Sequence, residues 1–449
     1  MTIADIAYPR QGLHTGDNDR YFRLWYEVNN KTINLSGSTV WNYQYFWSPL
    51  NKGGAYRKWY GNRQYIIEWK NDGKNLKQSK KSVGANNTTF FKDMIGFTDI
   101  TSYKPSFREY GTGFVYDVSG PSLFNNGDIV SNEYLLGLLN SIVCETVMSI
   151  LSPTIHMNQT ALSKLALLIP SNEIKCKIEK IVKQCIIYSK LDWDSSELSW
   201  DFTSNPVIKQ NHSLIKDSVN YWINTCKDHK DKLQSLETEL NHYFVELYSF
   251  NAETRVCEKD VTIVVPSIES VIKQLISYFV GCIFGRYSLD KEGLINAGGD
   301  WVDPGPSFKA DSDNIIPIND SEYFGDDIVV RFVEFIKAAF GEENLEENLK
   351  YIADNLGIKY VGTARDGIRK YFLNNFYDDH VKMFQKRPIY WLFDSGKENG
   401  FKALIYMHRY TPDLIPTMRQ DYLLPMLTRY VEMSKSLEGT EKINLQKKI

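Results

Sequence analysis

A chain of 449 residues with 43% hydrophobic and 24% charged residues is too apolar for a disordered tail and too ordinary for a coiled-coil rod. Its length predicts two or three domains. The formal net charge of −3 argues against a polyanion partner for the molecule taken as a whole, and no stretch reaches the roughly 20 apolar residues a membrane helix needs.

The first 120 residues read as β-rich. Aromatic and β-branched residues predict strands over Tyr21–Val28, Trp41–Trp47, Gln64–Trp69 and Gly113–Val118. Turn chemistry separates them at Asn71-Asp72-Gly73, Gly84–Asn87 and Ser119-Gly120-Pro121. Five of the ten tryptophans fall by residue 69, a density that fills a small β core or supplies stacking surfaces. The chain changes character near residue 132, where Asn132 is placed to cap one helix from Glu133 to about Ile150. A short segment from Leu165 to Ile169 stops at Pro170. Ser171 then caps a helix carrying Ile174, Ile178, Ile181 and Val182 on one face. Residues 192–208 are irregular. Leu233, Leu236, Leu240, Phe244 and Leu247 form a helical stripe, and Ile268–Ile283 is a more buried helix ended by Gly285. Residues 293–327 are turn-rich, and helices resume from about Asp326. The prediction is an α+β chain with a β-rich domain at 1–170, a helical connector at 171–250 and a mostly helical domain at 251–449.

Charge is unevenly spread. Residues 50–108 hold 12 Lys and Arg against 4 Asp and Glu, a local +8, whereas residues 311–349 hold 2 against 11, a local −9. Separated basic and acidic regions let one face meet a polyanion although the whole is slightly acidic. The six cysteines have no paired spacing, which predicts free thiols in a cytoplasmic chain without a zinc knuckle. Met1–Arg10 carries Asp5 and no apolar core, unlike a signal peptide.

Catalytic chemistry finds no support. There is no nucleophile elbow, no phosphate-cradling loop, and the seven histidines are scattered without metal-ligand spacing. Asp326-Asp327 and Asp378-Asp379-His380 have the groups to chelate an ion but read better as solvated helix caps or turns, and Asp394–Lys397 is too thin for a nuclease centre. Asn51–Arg63 instead interleaves glycines, cations and aromatics, the mixture that approaches, neutralises and stacks on nucleic acid. The candidate DNA-binding set is Lys52, Arg57, Lys58, Tyr60 and Arg63, extended by Lys70, Lys74, Lys77, Lys80 and Lys81. The same residues also fit a glycine-rich hairpin with Trp59 in the core and its charges in water, and composition leaves both readings open.

Gln11–Phe22 (Gln-Gly-Leu-His-Thr-Gly-Asp-Asn-Asp-Arg-Tyr-Phe) resembles the opening of the target-recognition domain in adenine-specific DNA methyltransferases of fused restriction–modification type. Asn51–Asn62, Trp193–Phe202, Gly281–Asp290 and Lys386–Phe393 are similar to segments of the PglX family, the adenine-specific DNA methyltransferases of BREX phage-defence systems. These blocks keep the family's order from residue 10 to beyond 410. The segment from 133 through 172 also resembles the end of a target-recognition domain in restriction specificity subunits. The resemblance covers the C-terminal part of the family. Full-length members add an N-terminal domain that binds S-adenosylmethionine and presents an Asn/Asp-Pro-Pro-Tyr/Phe loop to a flipped adenine. Here Asn205-Pro206-Val207 and Asp303-Pro304-Gly305 lack the second proline and the ring, so no catalytic or cofactor residue carries over. The resemblance implies double-stranded DNA as partner, a methyltransferase domain in cis or trans, other BREX proteins, and no membrane. The alternative is a protein-interaction module that docks defence-complex components and binds DNA weakly.

Overall fold

The computed structural model describes residues 1–37, 45–127, 129–210 and 212–449. Most of the predicted strand at Trp41–Trp47 lies outside the described residues. The fold is α+β, and the chain forms two compact units: residues 1–200 with 224–265, and residues 201–223 with 266–449.

The first unit contains two four-stranded sheets. Its strands are β1 (Ala7–Arg10), β2 (Phe22–Leu24), β3 (Trp47–Asn51), β4 (Tyr65–Glu68), β5 (Met94–Phe97), β6 (Phe107–Gly111), β7 (Val115–Tyr116) and β8 (Ser122–Asn125). One sheet is antiparallel in the order β1-β8-β5-β6; the other runs β2-β4-β3-β7, with β3 and β7 parallel. The predicted strand Tyr21–Val28 shrinks to three residues. Asp17 caps a single helical turn, α1 (Asn18–Tyr21), ahead of it, and Glu27 accepts the Leu24 N–H at 2.7 Å and closes a tight turn behind it.

Helices α2 (Lys70–Gln78), α3 (Asn132–Leu139), α4 (Ile142–Leu151), α5 (Gln159–Ser163), α6 (Asn172–Asp194) and most of α7 (Ile215–Leu247) complete the unit. The single helix expected over Glu133–Ile150 is two helices, bent by 63°. The break has a non-local cause. The Asn140 side chain pairs with both backbone groups of Phe107 on β6 at 3.0 Å each, and Ser141 caps a fresh helix at Cys144. Ser131, one residue before the expected Asn132, caps α3; Ser171 caps α6 as expected.

The expected boundary at 170 does not separate the units. Ile178, Val182 and Cys185 of α6, Leu233, Leu240 and Phe244 of α7, and Leu135, Leu138 and Leu139 of α3 share one core with Ile95, Phe97 and Phe107 of the sheet. Residues 171–200 and 224–250 of the expected connector are the helical layer of the β-rich unit, and residues 201–223 belong to the second unit. Among the described residues no single helix is long and apolar enough to cross a membrane; α3 and α4 pass that test together, and most of their apolar residues, Ile150 and Leu151 at the end of α4 excepted, lie in this core.

The second unit is built on α8 (Ile268–Ile283), buried along nearly its whole length. A small sheet in the order β10-β11-β9 joins β9 (Ile316–Pro317) to the hairpin β10 (Tyr390–Asp394) and β11 (Lys402–Tyr406). This sheet replaces helix expected from about Asp326 onward. Tyr390-Trp391-Leu392-Phe393 and Ala403-Leu404-Ile405-Tyr406 are β-prone runs around an Asp-Ser-Gly turn. Helices α9 (Ile328–Phe340), α10 (Leu345–Asp354), α11 (Ala364–Asn374), α12 (Phe376–Met383), α13 (Leu414–Thr417), α14 (Leu424–Ser436) and α15 (Gly439–Gln446) surround it.

Asp327 caps α9 through the Val329 N–H, as its sequence position suggested, but it is buried and not solvated. It also takes both terminal nitrogens of Arg369 at 2.8 Å, and its side chain is fully buried. Removing the guanidinium leaves a buried carboxylate without its counter-charge. Arg369→Ala is therefore expected to lower stability by about 3–5 kcal/mol, read as a loss in the denaturation midpoint of the second unit. A cost below about 1 kcal/mol contradicts a structural role for the pair.

Candidate nucleic-acid interface

The glycine-rich stretch between β3 and β4 carries the first five candidates. Lys58 and Trp59 are buried, and one carboxylate serves both. Glu237 of α7 accepts the Lys58 ammonium at 3.0 Å and the Trp59 indole N–H at 2.6 Å. Burial by itself pushes the lysine down, but Glu237 overrides it and holds the ammonium above its ordinary range. Of the two readings left open by composition, the tryptophan belongs to the one that places it in the core.

Arg57 is equally committed. It pairs with Asp192 of α6 at 2.7 Å, donates to the Ser189 carbonyl at 3.0 Å and the Tyr60 carbonyl at 2.7 Å, and lies 5.0 Å over the Trp193 ring. Gly61 makes room for it. Its φ of 129° disfavours a side chain, and a Cβ there would stand 2.3 Å from Arg57 Nε. Arg63 stacks 4.0 Å over Tyr60 and reaches the Glu109 carbonyl and carboxylate at 2.7 and 3.0 Å. The Tyr60 ring is buried, which raises its phenol, and its oxygen accepts from Lys190 at 3.0 Å. Arg57, Lys58, Tyr60 and Arg63 thus fasten the hairpin to α6, α7 and β6.

The other six candidates stay at or near the surface. Lys52 is half-buried over the rings of Tyr65 (4.6 Å) and Phe22 (5.3 Å). Lys70, Lys74, Lys80 and Lys81 are exposed, and Lys77 is half-buried, 2.6 Å from Asp72. Their segment has an unusual start. Asn71, Asp72 and Gly73 are all left-handed, with φ of 52°, 56° and 69°. The sequence marked a turn here; the structure makes it a left-handed kink within the first turn of α2, and the right-handed helix follows it. Two consecutive non-glycine residues in this conformation store strain that surrounding contacts must hold. Trp69 does so. Its ring packs under Gly73, and its N–H donates to Asp72 at 3.2 Å. Farther along, Val83 and His14 exchange both backbone hydrogen bonds at 2.8 and 2.9 Å, an isolated bridge that ties the Lys80–Lys81 segment to the stretch after β1.

Sequence reasoning missed the partners that sort these cations. Glu237 is the clearest case. It sits four residues after Leu233 and three before Leu240, inside the apolar stripe, where an acid needs a buried counter-charge. Asp117 was missed as well. Burial raises its carboxyl to about 6, while the Ser119 and Gly120 N–H groups and the charges of Lys52 and His14 pull it back. Among the described residues no group of three or more His, Cys, Asp or Glu side chains is arranged to hold a metal.

No protein-family model matches the chain. The chain is similar to two adenine-specific methyltransferases. It is 37% identical to PglX of Lacticaseibacillus casei (strain Zhang) over an alignment covering 99% of this chain and 38% of that protein. It is 34% identical to BrxX of Escherichia coli O9:H4 (strain HS), covering 94% of this chain and 37% of that protein. The chain therefore spans less than two-fifths of the length of the relatives it matches. Among solved structures, the Type IIL restriction-modification enzyme MmeI in complex with DNA aligns over 61% of this chain and 36% of that one, at 9% identity and a TM-score of 0.34, too slight a likeness to carry an inference.

Lys58→Ala strands Glu237 in the core and is expected to cost about 3–5 kcal/mol in a denaturation experiment. Lys74→Ala, on the surface, should change stability by no more than about 0.5 kcal/mol. Equal effects contradict the division of the cations into buried and exposed sets. Asp117 gives a pH test. Its folded-state value lies above the ordinary 3.8, so the folded protein is penalised above about pH 6, and the penalty fades as pH falls toward 4. Relative to Asp117→Asn, the wild type should gain stability between pH 7 and pH 4; parallel stability curves contradict this.

Proposed function

We propose that this chain recognises duplex DNA on behalf of an adenine-specific methyltransferase of the BREX phage-defence type. The observation that carries this reading is the similarity to PglX and BrxX, which runs through essentially the entire chain at more than one-third identity. Similarity that long is hard to reconcile with one borrowed motif. S-adenosylmethionine and the methyl-transfer chemistry belong, in this reading, to the part of such enzymes that the chain does not match.

The exposure of the cations supports one way for the chain to grip DNA. In this reading phosphate contacts fall to the exposed Lys70, Lys74, Lys80 and Lys81, with Lys77 able to exchange Asp72 for a phosphate and half-buried Lys52 as a further cation. Arg57, Lys58, Tyr60 and Arg63 contribute by holding the hairpin rigid. Backbone contacts of this kind set position, and base edges in a groove set sequence. The acidic stretch at 311–349 repels DNA and suits a protein partner, which keeps docking to other defence components as the second reading.

Fluorescence anisotropy of the wild-type chain against random duplex DNA at several salt concentrations tests the reading. Log affinity should fall linearly with log salt, with a slope of roughly −3 to −4 if each of the four exposed lysines meets one phosphate. Absence of binding at low salt contradicts DNA recognition by this chain and favours the docking reading.

A further inference from the structure

The second unit holds a hollow of about 1030 Å3 that duplex recognition leaves unused. Its walls are braced from behind. Buried Asn296 donates to the carbonyls of Gly285 and Val302 at 2.8 Å each and accepts the Val302 N–H at 2.8 Å. This pins the loop carrying Trp301 to the backbone just after α8. Gly285 is left-handed, with φ of 72°, and a Cβ there would stand 2.4 Å from the Trp301 ring, so the indole rests on bare backbone. The Asn314 side chain bonds both backbone groups of Tyr406 at 3.0 and 3.1 Å, and the Tyr406 hydroxyl donates to the Asn296 carbonyl at 2.9 Å. Walls held in this way need little ordering when a ligand arrives.

Three kinds of group line this hollow. The first is aromatic: Trp301 is 49% exposed and Tyr410 48%. The second is a donor. The Arg409 guanidinium lies 4.5 Å over the Trp301 ring and donates to the Ser312 carbonyl at 3.1 Å and the Phe284 carbonyl at 3.4 Å, which uses only part of its N–H set. The third is an acceptor. Asp311 takes the Asn314 N–H at 2.7 Å. Burial and the adjacent Asp313 push its carboxyl up to about 7, the mark of an ionised form short of donors. Asp313 is better served, by the Ile315 N–H at 2.9 Å and the Tyr422 hydroxyl at 2.7 Å.

The charge of the walls selects against phosphate. Asp303, Asp311, Asp313 and Asp413 oppose only Lys309 and Arg409. A flat, uncharged heterocycle with acceptors on one edge and donors on the next uses the ring, the guanidinium and the carboxylate together. Guanine has this layout: O6 and N7 accept from an arginine, and N1–H with the 2-amino group donates to a carboxylate. Adenine and cytosine turn a ring-nitrogen acceptor toward the carboxylate, and uracil meets it with one donor in place of two. In a duplex the guanine N1–H and amino group are already paired. We infer that the hollow binds an unpaired guanine, its ring against Trp301, its O6–N7 edge toward Arg409, and its N1–H and amino group toward Asp311. The inference concerns the second unit alone and does not rest on duplex recognition by the first.

Calorimetric titration of the whole chain with nucleosides tests it. Guanosine should bind about tenfold or more tightly than inosine, which lacks the 2-amino group, and than adenosine or cytidine. GTP should bind more weakly than guanosine, because the walls repel its phosphates. Asp311→Asn keeps an acceptor for the Asn314 N–H, so its melting temperature should not fall. It should lose about tenfold or more in guanosine affinity and gain affinity for xanthosine, whose C2 carbonyl accepts from the amide. Trp301→Ala should weaken guanosine and inosine alike. A short single-stranded DNA with one guanine, compared with the same strand carrying inosine, identifies the source. Preference for the guanine strand assigns the site to unpaired nucleic acid, and equal strands beside tight guanosine binding assign it to a free nucleoside; either upholds a guanine site. The inference is overturned by no saturable guanosine binding at millimolar concentration, by equal affinity for guanosine and inosine, or by a guanosine affinity that Asp311→Asn leaves unchanged. Duplex binding is measured separately and can fail or succeed without changing these outcomes.

Discussion

The carboxylate of Glu237 is the point on which the first unit turns. It is buried with Lys58 and Trp59, and it satisfies both at once. A charge taken out of water costs several kcal/mol unless it is paired, so the three residues stand or fall together. The consequence is geometric. A glycine-rich hairpin, free to move by its composition, is bound to α7 through Glu237 and to α6 through the Arg57–Asp192 pair. The sheet and the helices behind it become one body.

That fastening changes the meaning of the charge count. A local +8 suggests a broad cationic face, but Arg57, Lys58 and Arg63 each meet a carboxylate inside the fold, and Lys104 meets two. The cations left in water are concentrated in Lys70–Lys81. This segment is not a slack loop. Trp69 supports its left-handed start, and the His14–Val83 bridge anchors its end. Charges held on such a frame lose less entropy on meeting phosphate than charges on a disordered tail.

The sequence showed what short-range rules control. The α+β class, the Ser171 cap, the helix at Ile268–Ile283 and the strand within Gln64–Trp69 follow from periodicity and cap chemistry, and all are present. What escaped depended on partners distant in the chain. Asn140 breaks a helix because Phe107 offers it a backbone edge 33 residues away. Arg57 and Lys58 leave the surface because Asp192 and Glu237 meet them from helices more than 130 residues downstream. Local composition placed a cationic, aromatic hairpin correctly in the β-rich part, and it had no means of telling which of those cations reach water.

In the proposed function the exposed lysines, and not the glycine-rich hairpin, grip DNA. Replacing Lys70, Lys74, Lys80 and Lys81 together by Gln and measuring duplex affinity across salt, alongside the melting temperature, tests it most directly. The expected result is a loss of tenfold or more at low salt, a salt slope flatter by roughly 0.9 per phosphate contact removed, and an unchanged melting temperature. Wild-type affinity and slope in the quadruple variant would contradict it.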